Sequence, residues 1–137
     1  MAKGILQEIV LDMFLKRAAT IRTLETIRAN SWRLYHAFQL GDAEALHRGI
    51  ARSWRLNRQL DSGTSTPEIE KIIGICGKEL SACKLLGAGG GGYMLLCAKT
   101  AGDGKLIRDR LDATPPNPRA RFIDFSIASV GLQVTVS

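Results

Sequence analysis

The chain has 137 residues, of which 45% are hydrophobic and 23% are charged, and this balance fits one globular domain with a single core. No apolar stretch approaches the ~20 residues of a membrane-spanning helix. The first ten residues lack the basic start, apolar run and cleavage site of a signal peptide. We therefore expect a cytoplasmic protein that does not contact membranes.

The net charge of +6 is spread evenly, with 12 basic against 9 acidic residues through Leu80 and 7 against 4 afterwards. Four arginines recur at helical spacing, namely Arg48, Arg52, Arg55 and Arg58. Such a stripe can meet phosphates or form a solvated helix face. The solvated face is favoured, because no aromatic residues are interleaved for base stacking and no nucleic-acid motif is present. We expect no nucleic-acid partner.

The cysteines at positions 76, 83 and 97 are odd in number, lie in apolar surroundings and show no CxxC or Cys/His spacing. This pattern predicts reduced core thiols, and it favours neither a disulfide framework nor a zinc site. We predict no metal ligand in this chain.

The first eighty residues have helical periodicity. Apolar residues recur from Ile5 to Phe14 directly after Met1, and no capping residue precedes them. A helix without a cap suggests a chain taken from a longer one. A second, long helix should end at Gly41. Its predicted buried face consists of Thr20, Leu24, Ile27, Ser31, Leu34 and Phe38.

Asp42 is expected to cap a third helix over residues 43–60. That helix offers Leu46, Ile50, Leu56 and Leu60 to the core. On another side it stacks Trp54, Asn57 and Asp61 three and four residues apart. A fourth helix should run from Pro67 to about Gly77, with Thr66 as its cap.

From Ala82 onward the sequence is typical of strands. Apolar runs at 83–86 and 93–98 predict two buried strands joined by a glycine run at 87–92. A short helix over 105–111 follows, and alternating apolar residues at 123–127 and 132–136 predict a terminal antiparallel pair. The predicted fold class is α+β, a four-stranded antiparallel sheet with helices packed on one face.

The glycine run is costly, because each glycine in a structured domain costs roughly 0.5–1 kcal/mol of backbone freedom relative to alanine. It either lets main-chain N–H groups approach an anion or substrate closely, or it is a flexible connection. No Gly-Lys-Ser/Thr ending makes it a P-loop, and it joins two strands, unlike a Rossmann fingerprint.

The segment 84–93, Lys-Leu-Leu-Gly-Ala-Gly-Gly-Gly-Gly-Tyr, resembles the third conserved motif of the GHMP kinases, the family of galactokinase, homoserine kinase and mevalonate kinase. Residues 54–69 are similar to the segment before this motif in the branch of fucokinases and heptose-phosphate kinases. Residues 115–122 resemble the tail of the bacterial enzymes that join L-fucokinase to GDP-fucose pyrophosphorylase. The resemblance spans roughly 54–137.

The resemblance implies that residues 1–137 form a C-terminal, ferredoxin-like kinase lobe, with the active site in the cleft against an N-terminal lobe. The missing lobe would supply the ATP-phosphate loop and the catalytic base, neither of which this sequence contains. The chain alone is therefore expected to be inactive. It should also expose an apolar face suited to the missing lobe or to a second copy.

The same resemblance indicates which residues lie near the substrates. Those expected near phosphate and sugar are Gly87, Gly89, Gly90, Gly91 and, as a further member, Gly92. Trp54, Asn57 and Asp61 become candidate sugar-cleft residues. From the residues alone, Trp54 also fits a packing role and Asp61 a turn before Gly63. No catalytic residue is assigned to this lobe.

The implied reaction transfers the γ-phosphoryl group of ATP, with Mg²⁺ as cofactor, to the anomeric hydroxyl of L-fucose. One alternative keeps this chemistry and takes a heptose 7-phosphate as substrate. Another is a ferredoxin-like binding module whose glycine loop senses a ligand without catalysis. The coding sequence upstream of Met1 would distinguish them, since a Pro- and Gly-Ser-rich loop there would establish the kinase.

Overall fold

The computed structural model of the protein describes residues 2–87 and 92–127. Five helices and two strands follow one another in the order α1 (Ala2–Phe14), α2 (Ala18–Gln39), α3 (Ala43–Leu60), α4 (Pro67–Cys76), β1 (Leu80–Leu86), β2 (Tyr93–Ala98) and α5 (Ala101–Ala113). The α+β class is confirmed. Among the described residues, none of these helices is long and apolar enough to cross a membrane.

Helices α1 and α2 end in the same hydrogen-bonded arrangement, the Schellman motif. At the end of α1, Lys16 N–H donates to the Met13 carbonyl at 3.0 Å and Arg17 N–H to the Asp12 carbonyl at 2.9 Å. The residue that must adopt a left-handed conformation there is Lys16, with φ 51°. A lysine at this position stores backbone strain that glycine would not.

At the end of α2 the left-handed residue is Gly41, with φ 66°. Its N–H donates to the Phe38 carbonyl at 3.2 Å, and Asp42 N–H donates to the Ala37 carbonyl at 2.9 Å. The Asp42 side chain then accepts from Ala45 N–H at 2.9 Å and caps α3. The end of α2 at Gly41 and the cap at Asp42 are as the sequence predicts, and Asp42 in addition takes part in closing α2.

The α2–α3 contact is built from small and polar residues. Thr23, Asn30 and Ala37 are the buried residues of α2. Asn30 is 1% exposed, and its amide donates to the Gly49 carbonyl and to Ser53 Oγ, both at 2.9 Å. These bonds satisfy a polar group that would be costly to bury unpaired.

The predicted face of α2 is correct in part, since Thr20, Leu24, Ile27 and Leu34 are half-buried. Ser31 and Phe38, which it included, are exposed, whereas Asn30 and Ala37 are buried. The reason is the close approach of α3, where a Cβ added to Gly49 would lie 2.5 Å from a Leu34 methyl carbon. Two helices this close accommodate alanine and asparagine at the contact but leave no room for a phenylalanine.

Helices α3 and α4 have the predicted bounds and caps. For α4, the Thr66 hydroxyl accepts from Ile69 N–H at 3.4 Å and Pro67 occupies the first turn. In α3, Ile50 and Leu56 are buried as expected. Trp54, which was placed on a different side from the core residues, is buried with them.

Strands β1 and β2 form an antiparallel pair whose register runs from Leu80 opposite Ala98 to Leu86 opposite Tyr93. One core cluster joins Trp54, Ile69 and Cys83, with Leu85 and Met94 packed against it. A second cluster joins Cys76, Ile107 and Leu111, with Leu80 and Ala98 against it. Helix α4 therefore runs antiparallel to β1, so its N-terminus lies at the glycine end of the β1–β2 hairpin.

An ion pair between exposed Arg110 and buried Glu79 fixes α5 at the opposite end of the sheet. Arg110 donates through both terminal nitrogens to the two carboxylate oxygens of Glu79, at 2.9 and 3.0 Å. These hydrogen bonds lower the pKa of Glu79 to about 2. Helix α5 begins at Ala101, four residues earlier than predicted, because the Thr100 hydroxyl caps it by accepting from Asp103 N–H.

The predicted terminal strand pair is not found in the part of the chain that the structure describes. Residues 121–127 form no strand, although their apolar residues alternate as expected. Their alternating side chains at Ile123, Phe125 and Ile127 are exposed, and a strand needs a paired neighbour for its backbone groups. The second segment, 132–136, lies outside the described residues.

Candidate functional site

The candidate site is the end of the β1–β2 hairpin. The last paired residues, Leu86 and Tyr93, are both exposed there. Gly87 and Gly92 follow with φ 109° and 118°, a conformation that residues with a Cβ rarely adopt. Glycine is thus required by the backbone at both ends of the run. The other three predicted residues, Gly89, Gly90 and Gly91, lie outside the described residues.

The N-terminus of α4 lies at this same end of the sheet. A helix N-terminus attracts anions, because its first N–H groups are unpaired and the helix dipole is positive there. In α4, however, Glu68 and Glu70 occupy the first turn. The pKa of Glu68 is lowered by its hydrogen bond with Thr66, which favours the carboxylate. We therefore assign no phosphate to the start of α4.

Trp54 is 6% exposed and joins α3 to the hairpin through Cys83 and the side chains packed around it. The Arg58 guanidinium carbon lies 5.9 Å from the centre of the Trp54 ring system. This arrangement fits a cation–π contact at the edge of the core. The indole thus packs as a core residue with one face toward a positive charge, and its contact with a sugar stays a prediction.

Arg58 belongs to a polar network that the sequence analysis missed. Its guanidinium lies 3.5 Å from Glu70 Oε1, and the Ser65 hydroxyl also donates to that carboxylate. The network ties the end of α3 to the start of α4 beside Trp54. The signal was available, since Arg58 follows Trp54 by four residues and so lies on the same helix face.

Asn57 and Asp61 are half-buried and organise the turn after α3. The Asp61 carboxylate accepts from Gly63 N–H at 3.1 Å and so caps a short 3₁₀ turn, Ser62–Thr64. The Asn57 carbonyl accepts from Asp61 N–H at 3.1 Å. Asp61 therefore forms the turn that the sequence offered as one of its roles. Of the three candidate cleft residues, Trp54 is the one that the described contacts join to the hairpin.

Two of the four arginines that recur along α3 contact nearby side chains. Arg48 pairs with Glu44 one turn earlier, and Arg58 contacts Glu70 and Trp54. Arg55 is exposed to solvent. These contacts fit the favoured reading of a solvated helix face.

A separate groove of about 330 Å³ lies between α5 and the segment that follows it. Its lining includes Gly104, Arg108 and Phe122, and the Arg108 guanidinium carbon lies 4.8 Å from the centre of the Phe122 ring. Because α5 packs at the Leu80 and Ala98 end of the sheet, this groove is remote from the glycine run.

The cysteines are free thiols, and Cys76 and Cys83 are buried, as the sequence predicts. Burial raises the pKa of Cys83 to about 11 and also raises the pKa of Cys76 and Cys97. These thiols are therefore poor nucleophiles at neutral pH. Among the described residues, no group of three or more His, Cys, Asp or Glu side chains is placed to hold a metal ion.

Comparison with known proteins adds sequence evidence to this geometry. Residues 34–117 match a family model described as "GHMP kinases C terminal". The chain is 39% identical over 136 residues to a Bacteroides fragilis protein named L-fucokinase/L-fucose-1-P guanylyltransferase, and this match covers 99% of the chain but 14% of that relative. It is also 38% identical over 63 residues to the bifunctional fucokinase/GDP-fucose pyrophosphorylase of Arabidopsis thaliana, covering 46% of the chain and 6% of that relative.

The fold is also similar to that of a solved structure. The crystal structure of L. major mevalonate kinase in complex with R-mevalonate aligns with a TM-score of 0.71 at 22% identity, covering 85% of this chain and 36% of that one. This likeness concerns the fold of the chain.

Proposed function

Because the chain belongs to the GHMP kinases, as their C-terminal domain, we propose that it is one lobe of an ATP-dependent sugar kinase that phosphorylates L-fucose at its anomeric hydroxyl. The observation that carries this proposal is the 39% identity to a fucokinase, which runs through 136 of the 137 residues. The chain spans about 14% of the length of that relative, so the remaining parts of the enzyme lie outside it.

In the proposed reaction, the anomeric oxygen of L-fucose forms a bond to the γ-phosphorus of ATP as the bond to ADP breaks. The hydroxyl proton passes to a base that we place in the N-terminal lobe. Catalysis of this kind depends on positioning and on stabilising the charge of the phosphoryl oxygens. ATP is the phosphoryl donor, and we place the reaction in the cytoplasm.

The glycine run is the contribution of this lobe to the site. Gly87 and Gly92 give the hairpin its backbone course, and the residues between them offer main-chain N–H groups without side chains in the way. Trp54, Asn57 and Asp61 remain proposed cleft residues. For Trp54, this proposal is supported by packing against the hairpin that carries the glycine run. For Asn57 and Asp61 it rests on the resemblance, since their described contacts form the local turn.

Mg²⁺, when bound with ATP, would neutralise charge on the phosphates. We propose that the protein ligands of Mg²⁺ lie outside this chain, in keeping with the expectation from the sequence.

We also propose that the sheet has four strands in the complete kinase, with 123–127 and 132–136 as the additional pair. The alternating apolar residues at Ile123, Phe125 and Ile127, exposed in this chain, support this pairing. Amide hydrogen exchange on the complete kinase tests it. Alternate amides of 123–127 should be protected, and uniformly fast exchange would argue against added strands.

The proposed reaction is tested by incubating the complete kinase with Mg-ATP and L-fucose and following ADP release together with the ³¹P signal of the product. We expect sugar-dependent ADP release and a sugar 1-phosphate. Turnover of a heptose 7-phosphate in place of L-fucose would identify the alternative substrate. Absence of turnover with either sugar would favour a non-catalytic binding module.

The role of the glycine run is tested by Gly89→Val in the complete kinase. A branched side chain should displace the reacting groups by about 1 Å and lower kcat/KM by ~100-fold or more. The matched control is Gly74→Val on α4, where an added Cβ has no atom within 4 Å. A Gly89→Val enzyme that folds and keeps normal kinetics would show that the glycines serve hairpin geometry alone.

A further inference from the structure

Helix α1 carries more apolar surface than the described structure covers. Of its last described residues, Leu11 is 55% exposed, Met13 is 50% exposed and Phe14 is 81% exposed. Leu15, immediately after the helix, is also exposed. These side chains point to more than one side of the helix, because consecutive residues are separated by about 100°. A helix that is apolar on several sides is typical of a buried element.

Two polar contacts join α1 to the residues that follow it. Asp12 accepts from the Thr20 hydroxyl at 2.9 Å and pairs with Arg17 at 3.1 Å. Ile9 and Asp12 are the half-buried side chains of its described part. A 13-residue helix is marginal in water on its own, so its stability depends on packing against a partner.

We propose that the other lobe of the same kinase polypeptide covers the α1 face formed by Leu11, Met13, Phe14 and Leu15. This inference rests on the proposed function. The relative that matches through 136 residues, and therefore through α1, has 86% of its length outside the matched part, since the match covers 14% of it. The exposed face of α3, by contrast, carries Glu44, Arg48 and Arg55 and is suited to solvent.

Contact along α1 would link the two lobes at a place distinct from the glycine run. Burial of these four side chains would stabilise the assembled kinase through the hydrophobic effect, which scales with the apolar area removed from water. The face thus acts as a docking surface that sets the position of this lobe, whereas the glycine run acts at the reacting groups.

Cysteine labelling in the complete kinase tests whether the face is covered. We expect Phe14→Cys to react with a maleimide at least about tenfold more slowly than Arg55→Cys, the matched control on the exposed side of α3. The labelling of the unsubstituted kinase is subtracted as background. Equal rates for the two variants would overturn the proposal.

Photocrosslinking from position 14 identifies what covers it. p-Benzoylphenylalanine replaces Phe14 in the complete kinase, and crosslinked peptides are identified by mass spectrometry. We expect crosslinks to residues of the other kinase lobe. Crosslinks confined to any other part of the polypeptide outside 1–137 would overturn the proposal. Crosslinks within 1–137, or crosslinked dimers that disappear on dilution, would overturn the proposal. Neither measurement depends on turnover, so an inactive kinase with the expected crosslinks would contradict the proposed function alone.

Discussion

Asn30 makes the polar contact at the α2–α3 interface. We expect Asn30→Ala to lower the free energy of unfolding by about 1–3 kcal/mol, because it removes two hydrogen bonds from a buried site. Urea unfolding of the 137-residue chain measures the loss. Ser31→Ala, on the exposed neighbour, is the control, since both changes gain similar helix propensity. Equal stability of the two variants would contradict this role for Asn30.

Glu79 makes stability depend on pH. Its pKa is lowered to about 2 from 4.5 by the hydrogen bonds from Arg110, so it stabilises the fold fully above about pH 4.5, and this contribution is lost as pH falls through 2. The stability difference between the chain and Glu79→Gln should therefore shrink as pH is lowered over that range. Thermal unfolding at a series of pH values measures it.

The same pH-dependent difference should become smaller in an Arg110→Gln background, because that substitution removes the largest cause of the lowered pKa. If the Glu79→Gln difference stays constant with pH, the ion pair does not act as inferred.

The sequence singled out Trp54 as a candidate site residue, but it placed the side chain away from the core, where the structure buries it. The spacing of Trp54, Asn57 and Asp61 defines a helix side, but it does not say which neighbour that side meets. That neighbour is the hairpin, which brings Cys83 and Leu85 against the indole through contacts between residues about thirty positions apart. The turn role of Asp61 was readable, because its partner Gly63 is two residues away.

At the scale of elements, α1 and α2 both end in a Schellman motif, but the left-handed position is Lys16 in one and Gly41 in the other. We expect Lys16→Gly to stabilise the chain by about 0.5–1 kcal/mol, because Lys16 is held at φ 51°. Gly41→Ala should destabilise it by about 1 kcal/mol, since the added Cβ meets no atom within 4 Å and the φ of 66° alone opposes it. Denaturant unfolding measures the change in the free energy of unfolding for both variants. A stabilising Gly41→Ala would contradict the argument.

Local signals explain why most elements were predictable. The bounds of α3, α4 and β2 follow from caps and periodicity within a few residues, such as Asp42 and Thr66. The buried face of α2 was not predictable in this way, since it depends on Gly49 of α3. The predicted strand at 123–127 needed a partner strand, and an alternating pattern alone cannot supply one.

At the scale of the whole molecule, the proposed function divides the active site between this lobe and an N-terminal lobe. We expect the 137-residue chain to show no L-fucose-dependent ATP consumption and to bind Mg-ATP more weakly than ~1 mM, which corresponds to less than about 4 kcal/mol of binding free energy. Calorimetry and a coupled ADP assay measure the two quantities. Micromolar affinity, or turnover, would contradict the division of the site between two lobes.

The shared turn residue Asp42 has a consequence for the order of folding. Helices α2 and α3 form a hairpin whose hydrogen bonds join residues 19 and 23 positions apart, whereas the Glu79–Arg110 pair spans 31 positions. Contacts between residues close in sequence cost less chain entropy to form and so form earlier. We expect pulsed hydrogen exchange during refolding to protect the amides of α2 and α3 before those of α5. During synthesis, this hairpin would emerge from the ribosome before β1.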